Sequence, residues 1–262
     1  LTGDGAKQDY TKAKEWFLKA ANKNDTMSAY NLALIYKNGL GMPKNDKEAY
    51  KYFLIAANKN YAQAQYMLGN MIEKGQGAKK DLKEAFSWFL KAAKQGHILS
   101  EYRVGKMYRL GEGVAKNDTE AKKWYELSAN KGNAFAQVNL GMMYKQGVAT
   151  KQDYKEAFNW FEKSANQKNI LGQLNLALMY QNGLGVEKDL KEAFKLYQLA
   201  SDEGNSSSAQ YNLGLMYLKG DGIEKNIDKT IEYWIKSSEQ GFEVAKNSLE
   251  KLCKESPNSC KK

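Results

Sequence analysis

One motif returns along this chain at a nearly fixed interval. Segments beginning Ser28-Ala-Tyr-Asn-Leu-Ala, Ala64-Gln-Tyr-Met-Leu-Gly, Ser100-Glu-Tyr-Arg-Val-Gly, Ala136-Gln-Val-Asn-Leu-Gly, Gly172-Gln-Leu-Asn-Leu-Ala, Ala209-Gln-Tyr-Asn-Leu-Gly and Ala245-Lys-Asn-Ser-Leu-Glu start 36, 36, 36, 36, 37 and 36 residues apart. A period of that length is the mark of a repeat architecture, in which each unit buries its apolar face only by stacking on its neighbours.

Each unit reads as two helices. Helix A places Leu32, Leu68, Val104, Leu140, Leu176, Leu213 and Leu249 in one slot, and Tyr36, Ile72, Tyr108, Tyr144, Tyr180 and Tyr217 four residues later, on the same face. Between them sits Ala or Gly, including Gly69, Gly105, Gly141 and Gly214. Glycine inside a helix costs about 1 kcal/mol relative to alanine. Its recurrence predicts close approach of a partner helix there. Helix A ends at Gly39, Gly75, Gly111, Gly147, Gly183 or Gly220, suited to a left-handed C-cap. Asn45, Asp81, Asn117, Asp153, Asp189 and Asn226 are placed to N-cap helix B, and a Glu three residues on in five units (Glu48, Glu84, Glu120, Glu156, Glu192) gives a capping-box pattern. Helix B carries an aromatic pair such as Trp88-Phe89 or Trp160-Phe161, then two small residues such as Ala92-Ala93.

These residues resemble the Sel1-like repeat (SLR) family, a relative of the tetratricopeptide repeat. Gly183-Leu-Gly-Val-Glu-Lys-Asp189 is a close instance of its turn, and the resemblance runs from residue 3 to about 255. It implies an all-α fold, a right-handed α-α superhelix with a concave surface lined mainly by A helices. It also implies adaptor or scaffold work, often in bacterial envelopes, secretion, signalling or virulence. The chain reads as one solenoid domain over 1–262, with a partial first repeat at 1–27, six full repeats at 28–244 and a capping helix and tail at 245–262. Gly3 and Gly5 fall 36 residues before Gly39 and Gly41, so the first unit opens on its A–B turn, and an upstream helix A is expected. At the other end Cys253 occupies the Tyr slot and Pro257 stops the helix.

By analogy with tetratricopeptide repeats, the slot before the core Leu or Val faces the groove. It holds Asn31, Met67, Arg103, Asn139, Asn175 and Asn212. An amide there offers donor and acceptor to a peptide backbone. A structural tie between helices is the competing reading. One residue earlier, Tyr30, Tyr66, Tyr102 and Tyr211 would supply apolar contact, and Arg103 with Lys106 and Arg109 would receive an acidic side chain, unless these charges are only a solvated face.

The partner implied is another protein or a peptide. An immunity-type inhibitor of a toxic effector is the alternative, and a penicillin-binding or cell-wall enzyme a third. Lys and Arg exceed Asp and Glu by 40 to 30, but the excess is spread along every repeat and forms no dense basic stripe, so nucleic acid is not expected. No apolar run approaches the ~18–20 residues of a membrane span. The chain is expected to be a monomer, or a dimer through an exposed repeat end.

Cys253 and Cys260, seven residues apart, are the only cysteines and form a disulfide candidate, which would place the protein in the periplasm or outside the cell; two free thiols in the cytoplasm are the alternative. His97 is the only histidine and has no ligand-spaced companion, so no metal and no cofactor are expected. Ser128-Ala-Asn-Lys131 matches the S-x-x-K nucleophile motif, but Ser128 fills a slot that is Ala in other units, and no catalytic residue is assigned.

Overall fold

A computed structural model describes residues 9–256 and residue 260. Gly3, Gly5 and Pro257, which carried expectations about the two ends, lie outside the described residues. Among those described there are fourteen α-helices and no strand. In chain order they are α1 (Tyr10–Asn22), α2 (Thr26–Asn38), α3 (Asp46–Asn58), α4 (Ala62–Lys74), α5 (Leu82–Lys94), α6 (Ile98–Leu110), α7 (Asp118–Asn130), α8 (Ala134–Gln146), α9 (Tyr154–Ala165), α10 (Ile170–Asn182), α11 (Leu190–Asp202), α12 (Ser207–Lys219), α13 (Ile227–Glu239) and α14 (Glu243–Glu255). Even-numbered helices are the A helices of the repeat and odd-numbered ones the B helices.

The helix ends lie where turn chemistry puts them. Gly39, Gly75, Gly111, Gly147, Gly183 and Gly220 close the A helices with φ between 65° and 78°. Asn45, Asp81, Asn117, Asp153, Asp189 and Asn226 cap the B helices, each accepting a first-turn backbone N–H. The capping box, however, is only half formed. The second half needs the Glu side chain to take the N–H of the cap residue. That N–H is already engaged: Asn45 N donates to Tyr36 O at 2.9 Å, Asn117 N to Tyr108 O at 2.9 Å and Asp189 N to Tyr180 O at 3.0 Å. The bond locks each A–B hairpin, and the Glu turns outward, as where Glu120 meets Lys123 and Glu192 meets Lys195.

The small slot of helix A is explained by the second aromatic of helix B. A β carbon on Gly105 would come within 2.8 Å of the Tyr125 ring, and one on Gly141 within 2.7 Å of Phe161. Phe53, Phe89, Tyr125, Phe161 and Tyr197 are consequently buried almost completely. Full burial of such a ring is worth about 1.5–3 kcal/mol, more than the helix propensity that glycine forfeits.

The Tyr slot bridges repeats. Phe86 of α5 meets Tyr108 of α6 edge-on at 5.2 Å, and Phe158 of α9 meets Tyr180 of α10 at 5.3 Å. The same slot also covers the first aromatic of its own helix B, as Tyr36 stacks on Tyr52 at 5.8 Å. Trp88 and Trp160 are 8% and 7% exposed, whereas Trp16 on α1 is 69% exposed.

The chain divides into two compact units, between Lys131 and Gly132. The first is a stack of hairpins from α1 to α7 around a core that includes Leu32, Phe53, Leu68 and Phe89. The second runs from α8 to α14 around Phe161, Leu176, Tyr197 and Leu213. Cys253 and Cys260 are joined in a disulfide, with Cα atoms 5.6 Å apart, tying the tail to α14.

Candidate interaction surface

In the first unit the residues expected to line a groove are largely spent on packing. Tyr30 lies between Phe53 at 5.6 Å and Tyr61 at 5.1 Å, and burial raises its hydroxyl pKa. Tyr66 packs on Phe89 at 5.8 Å and His97 at 4.9 Å, and Tyr102 on Tyr125 at 6.1 Å. Met67 is half-buried against the core. Arg103 does not wait for an acidic ligand: its guanidinium pairs with Glu73 and lies over the Phe89 ring. Arg109 is likewise answered by Asp118 at 3.0 Å. Asn31 and Lys106 remain partly exposed.

In the second unit Tyr211 also serves the interior, stacking on Trp234 at 5.9 Å while its carbonyl accepts from Trp234 Nε1 at 3.1 Å. The asparagine row is different. Asn139, Asn175 and Asn212 are all partly exposed on α8, α10 and α12. Asn139 Nδ2 donates to Phe135 O and Asn175 Nδ2 to Leu171 O, each at 2.8 Å. These asparagines therefore tie back to their own helix, not to a neighbouring one.

Sequence reasoning missed the apolar residues that stand one turn earlier. The second residue of successive A helices is Met27, Leu99, Phe135, Leu171 or Val244, and these are 53%, 46%, 52%, 49% and 50% exposed. Gln63 and Ser208 occupy the same place on α4 and α12. The signal was available in the sequence, since Met27, Leu99, Phe135 and Leu171 immediately precede the motif's first residue at one register. In the first unit a cleft of about 410 Å³ opens beside this row, lined by Gln63, Gln95, His97, Ile98 and Leu99. Three A helices of the second unit are also nearly free of charge: α10 has none, and Lys145 and Lys219 in the last turns are the only charges on α8 and α12, whereas α14 is richly charged.

A second missed feature is internal. Gln95 Nε2 donates to Gln65 Oε1, Gln167 Nε2 to Gln137 Oε1 and Gln240 Nε2 to Gln210 Oε1, all at 2.7 Å. These bonds join helix A to the end of helix B in one repeat. In the α6–α7 repeat the pair is ionic: buried Glu101 meets Lys131 at 2.5 Å.

Ser128 is a packing residue. Its buried hydroxyl donates to Ile98 O at 2.9 Å, as Ser164 does to Ala134 O at 2.9 Å and Ser237 to Ser207 O at 2.8 Å. Lys131, the other end of the S-x-x-K match, is held by Glu101. His97 caps α6, its ring accepting from Ser100 N at 3.3 Å, and burial lowers its pKa.

Comparison with known proteins agrees with this architecture. The Sel1 repeat profile matches seven times, at residues 1–25, 26–61, 62–97, 98–133, 134–169, 170–205 and 207–242. α14 lies beyond the last match. Among solved structures, the chain is similar to c5321, a protective antigen of uropathogenic Escherichia coli with an SLR fold, at 35% identity and a TM-score of 0.87 over 94% of this chain and 53% of that one. It therefore spans about half the length of that protein. A Sel1 repeat protein from Oxalobacter formigenes is 28% identical, with a TM-score of 0.78 over 87% of each chain. No curated protein matches the sequence.

Proposed function

Because the chain belongs to the Sel1 repeat family, whose members generally serve as protein-interaction scaffolds, we propose that it holds a segment of another polypeptide on the A-helix face of its second unit. One observation carries this reading. Phe135 and Leu171 are half exposed on adjacent A helices that carry almost no charge. A surface helix ordinarily turns charged residues to water and keeps its apolar stripe for the core. Here the core side is already filled by Leu140, Met143, Leu176 and Met179. An apolar row half exposed beyond a filled core is the composition of an interaction patch.

Selection from a random displayed peptide library tests the reading directly. The wild-type chain should enrich a family of peptides, and the Phe135→Asp, Leu171→Asp double variant should not retain them. Both sites are exposed, so the variant is expected to keep its helical circular dichroism. Failure of the wild type to enrich anything, or equal retention by the variant, would remove this face as the binding surface.

We further propose that the protein works in an oxidising compartment of a bacterium, the periplasm or beyond. Its support is the Cys253–Cys260 disulfide, since such bonds persist where thiols are not kept reduced. Alkylation of the native source before lysis checks it: two blocked thiols would count against that compartment.

A further inference from the structure

Within the second unit the A-helix face carries two parallel rows. The first holds Phe135 and Leu171, with Val244 further along. The second, one helical turn on, holds Asn139, Asn175 and Asn212. The bonds from Asn139 Nδ2 to Phe135 O and from Asn175 Nδ2 to Leu171 O fix which end of each amide faces outward. A backbone carbonyl only accepts, so the nitrogen must point to it, and Oδ1 with one remaining N–H is left for a ligand. The helices α8 and α10 touch directly. Packed helices lie about 8–10 Å apart, so both rows repeat at about that interval.

Resting on the function proposed above, the geometry points to one occupant: an uncharged segment in polyproline II conformation with an apolar residue at every third position. That conformation has three residues per turn and rises about 3.1 Å per residue, so one face recurs about every 9 Å, and its backbone N–H groups form no internal hydrogen bonds. Its apolar side chains meet Phe135 and Leu171 while its N–H groups meet Asn139 and Asn175 Oδ1. An α-helix aligned by heptads recurs at about 10.5 Å and fits the apolar row, but its N–H groups are spent internally and leave both amide oxygens unmet. A β-strand turns every third residue to the opposite side. Charge sets the composition: α8 and α10 themselves offer a desolvated charged side chain no counter-charge but Lys145 in the last turn of α8, and the nearby Lys168 is already paired with Glu203.

Fluorescence anisotropy with synthetic labelled peptides of equal length tests this. One peptide carries Leu at every third residue in a Pro and Ala background, and a second carries the same residues shuffled. A third, helical peptide places Leu at heptad spacing without Pro. The first should bind at least about tenfold more tightly than the others. Asn139→Leu with Asn175→Leu should weaken it by about tenfold while leaving the helical peptide unchanged. Equal binding of the shuffled or the helical peptide would overturn the polyproline II occupant, and so would indifference to the asparagine variant. If library selection enriches peptides of another period, this inference fails while the binding face stands. If selection enriches nothing, both fall.

Discussion

Gly113 rests directly on the carbonyl of Leu82: a β carbon there would lie 2.1 Å from that oxygen. Gly113 belongs to the turn after α6, and Leu82 opens α5 in the preceding repeat. The glycine, at φ 71°, therefore sets how closely one hairpin sits on the next. Gly113→Ala adds both a left-handed backbone penalty and an overpacked contact, and is expected to cost about 2–4 kcal/mol. Urea unfolding should register it as a lowered midpoint, and an unchanged midpoint would mean that this contact is loose.

The Glu101–Lys131 pair stands where other repeats use two glutamines. Lys131→Met strands a carboxylate that is 2% exposed, at an expected cost of about 2–3 kcal/mol. That is below the full range for a buried pair because Lys131 is itself 37% exposed. The double variant Glu101→Gln, Lys131→Gln recreates the neutral tie of Gln65 with Gln95. It should lie within about 1 kcal/mol of the wild type by the same unfolding measurement.

Much of this was legible in the sequence because the repeat averages out local ambiguity. One Asp or Gly predicts a cap weakly, but six in register left little choice for Asn45 through Asn226. The mid-helix glycines announced a close partner helix without saying that an aromatic ring, such as Tyr125 or Phe161, would fill the space. What stayed hidden was the direction of side chains near the groove. Tyr30, Tyr66 and Tyr211 sit one residue from the asparagine row, a rotation of about 100° on a helix. That rotation turns them to neighbouring rings instead of to solvent. Arg103 was grouped with Lys106 and Arg109 and not with its true partner, because Glu73 lies 30 residues away on another helix. The exposed Met27 and Leu99 of the first unit and Phe135 and Leu171 of the second were overlooked because apolar residues invite a core assignment, and only burial separates core from surface.

His97 gives the protein a mild acid sensitivity. It is half-buried at the N-cap of α6, and burial holds its pKa below the ordinary value. The unfolded chain therefore takes up the proton first. Its contribution is fully present above about pH 6.5 and is lost as pH falls through the lower folded value. His97→Asn keeps a cap, as Asn133 and Asn169 do in their repeats. Thermal melts from pH 7.5 to 5 should decline less in this variant than in the wild type, and parallel declines would assign the sensitivity elsewhere.

Lys168 adopts φ 61° in the B–A connection, a place filled by Asn24, Asn60, Gly96, Gly132, Asn205 and Gly241, all with positive φ. A lysine there bears a strain that asparagine tolerates. Lys168→Asn is expected to stabilise by about 0.5–1 kcal/mol, since the exposed pair it gives up with Glu203 is worth little. A calorimetric melting temperature no higher than the wild type's would show that the pair matters more than the backbone.

The hydroxyl ties from Ser128 to Ile98, Ser164 to Ala134 and Ser237 to Ser207 each close a loop of 30 residues. Each lies inside a single hairpin and none shares a member with another. Under tension such a chain has no single clasp whose failure releases everything. Stretched between two anchors, it would pay out one hairpin at a time, shedding load in steps while the remaining repeats kept their grip on whatever they hold.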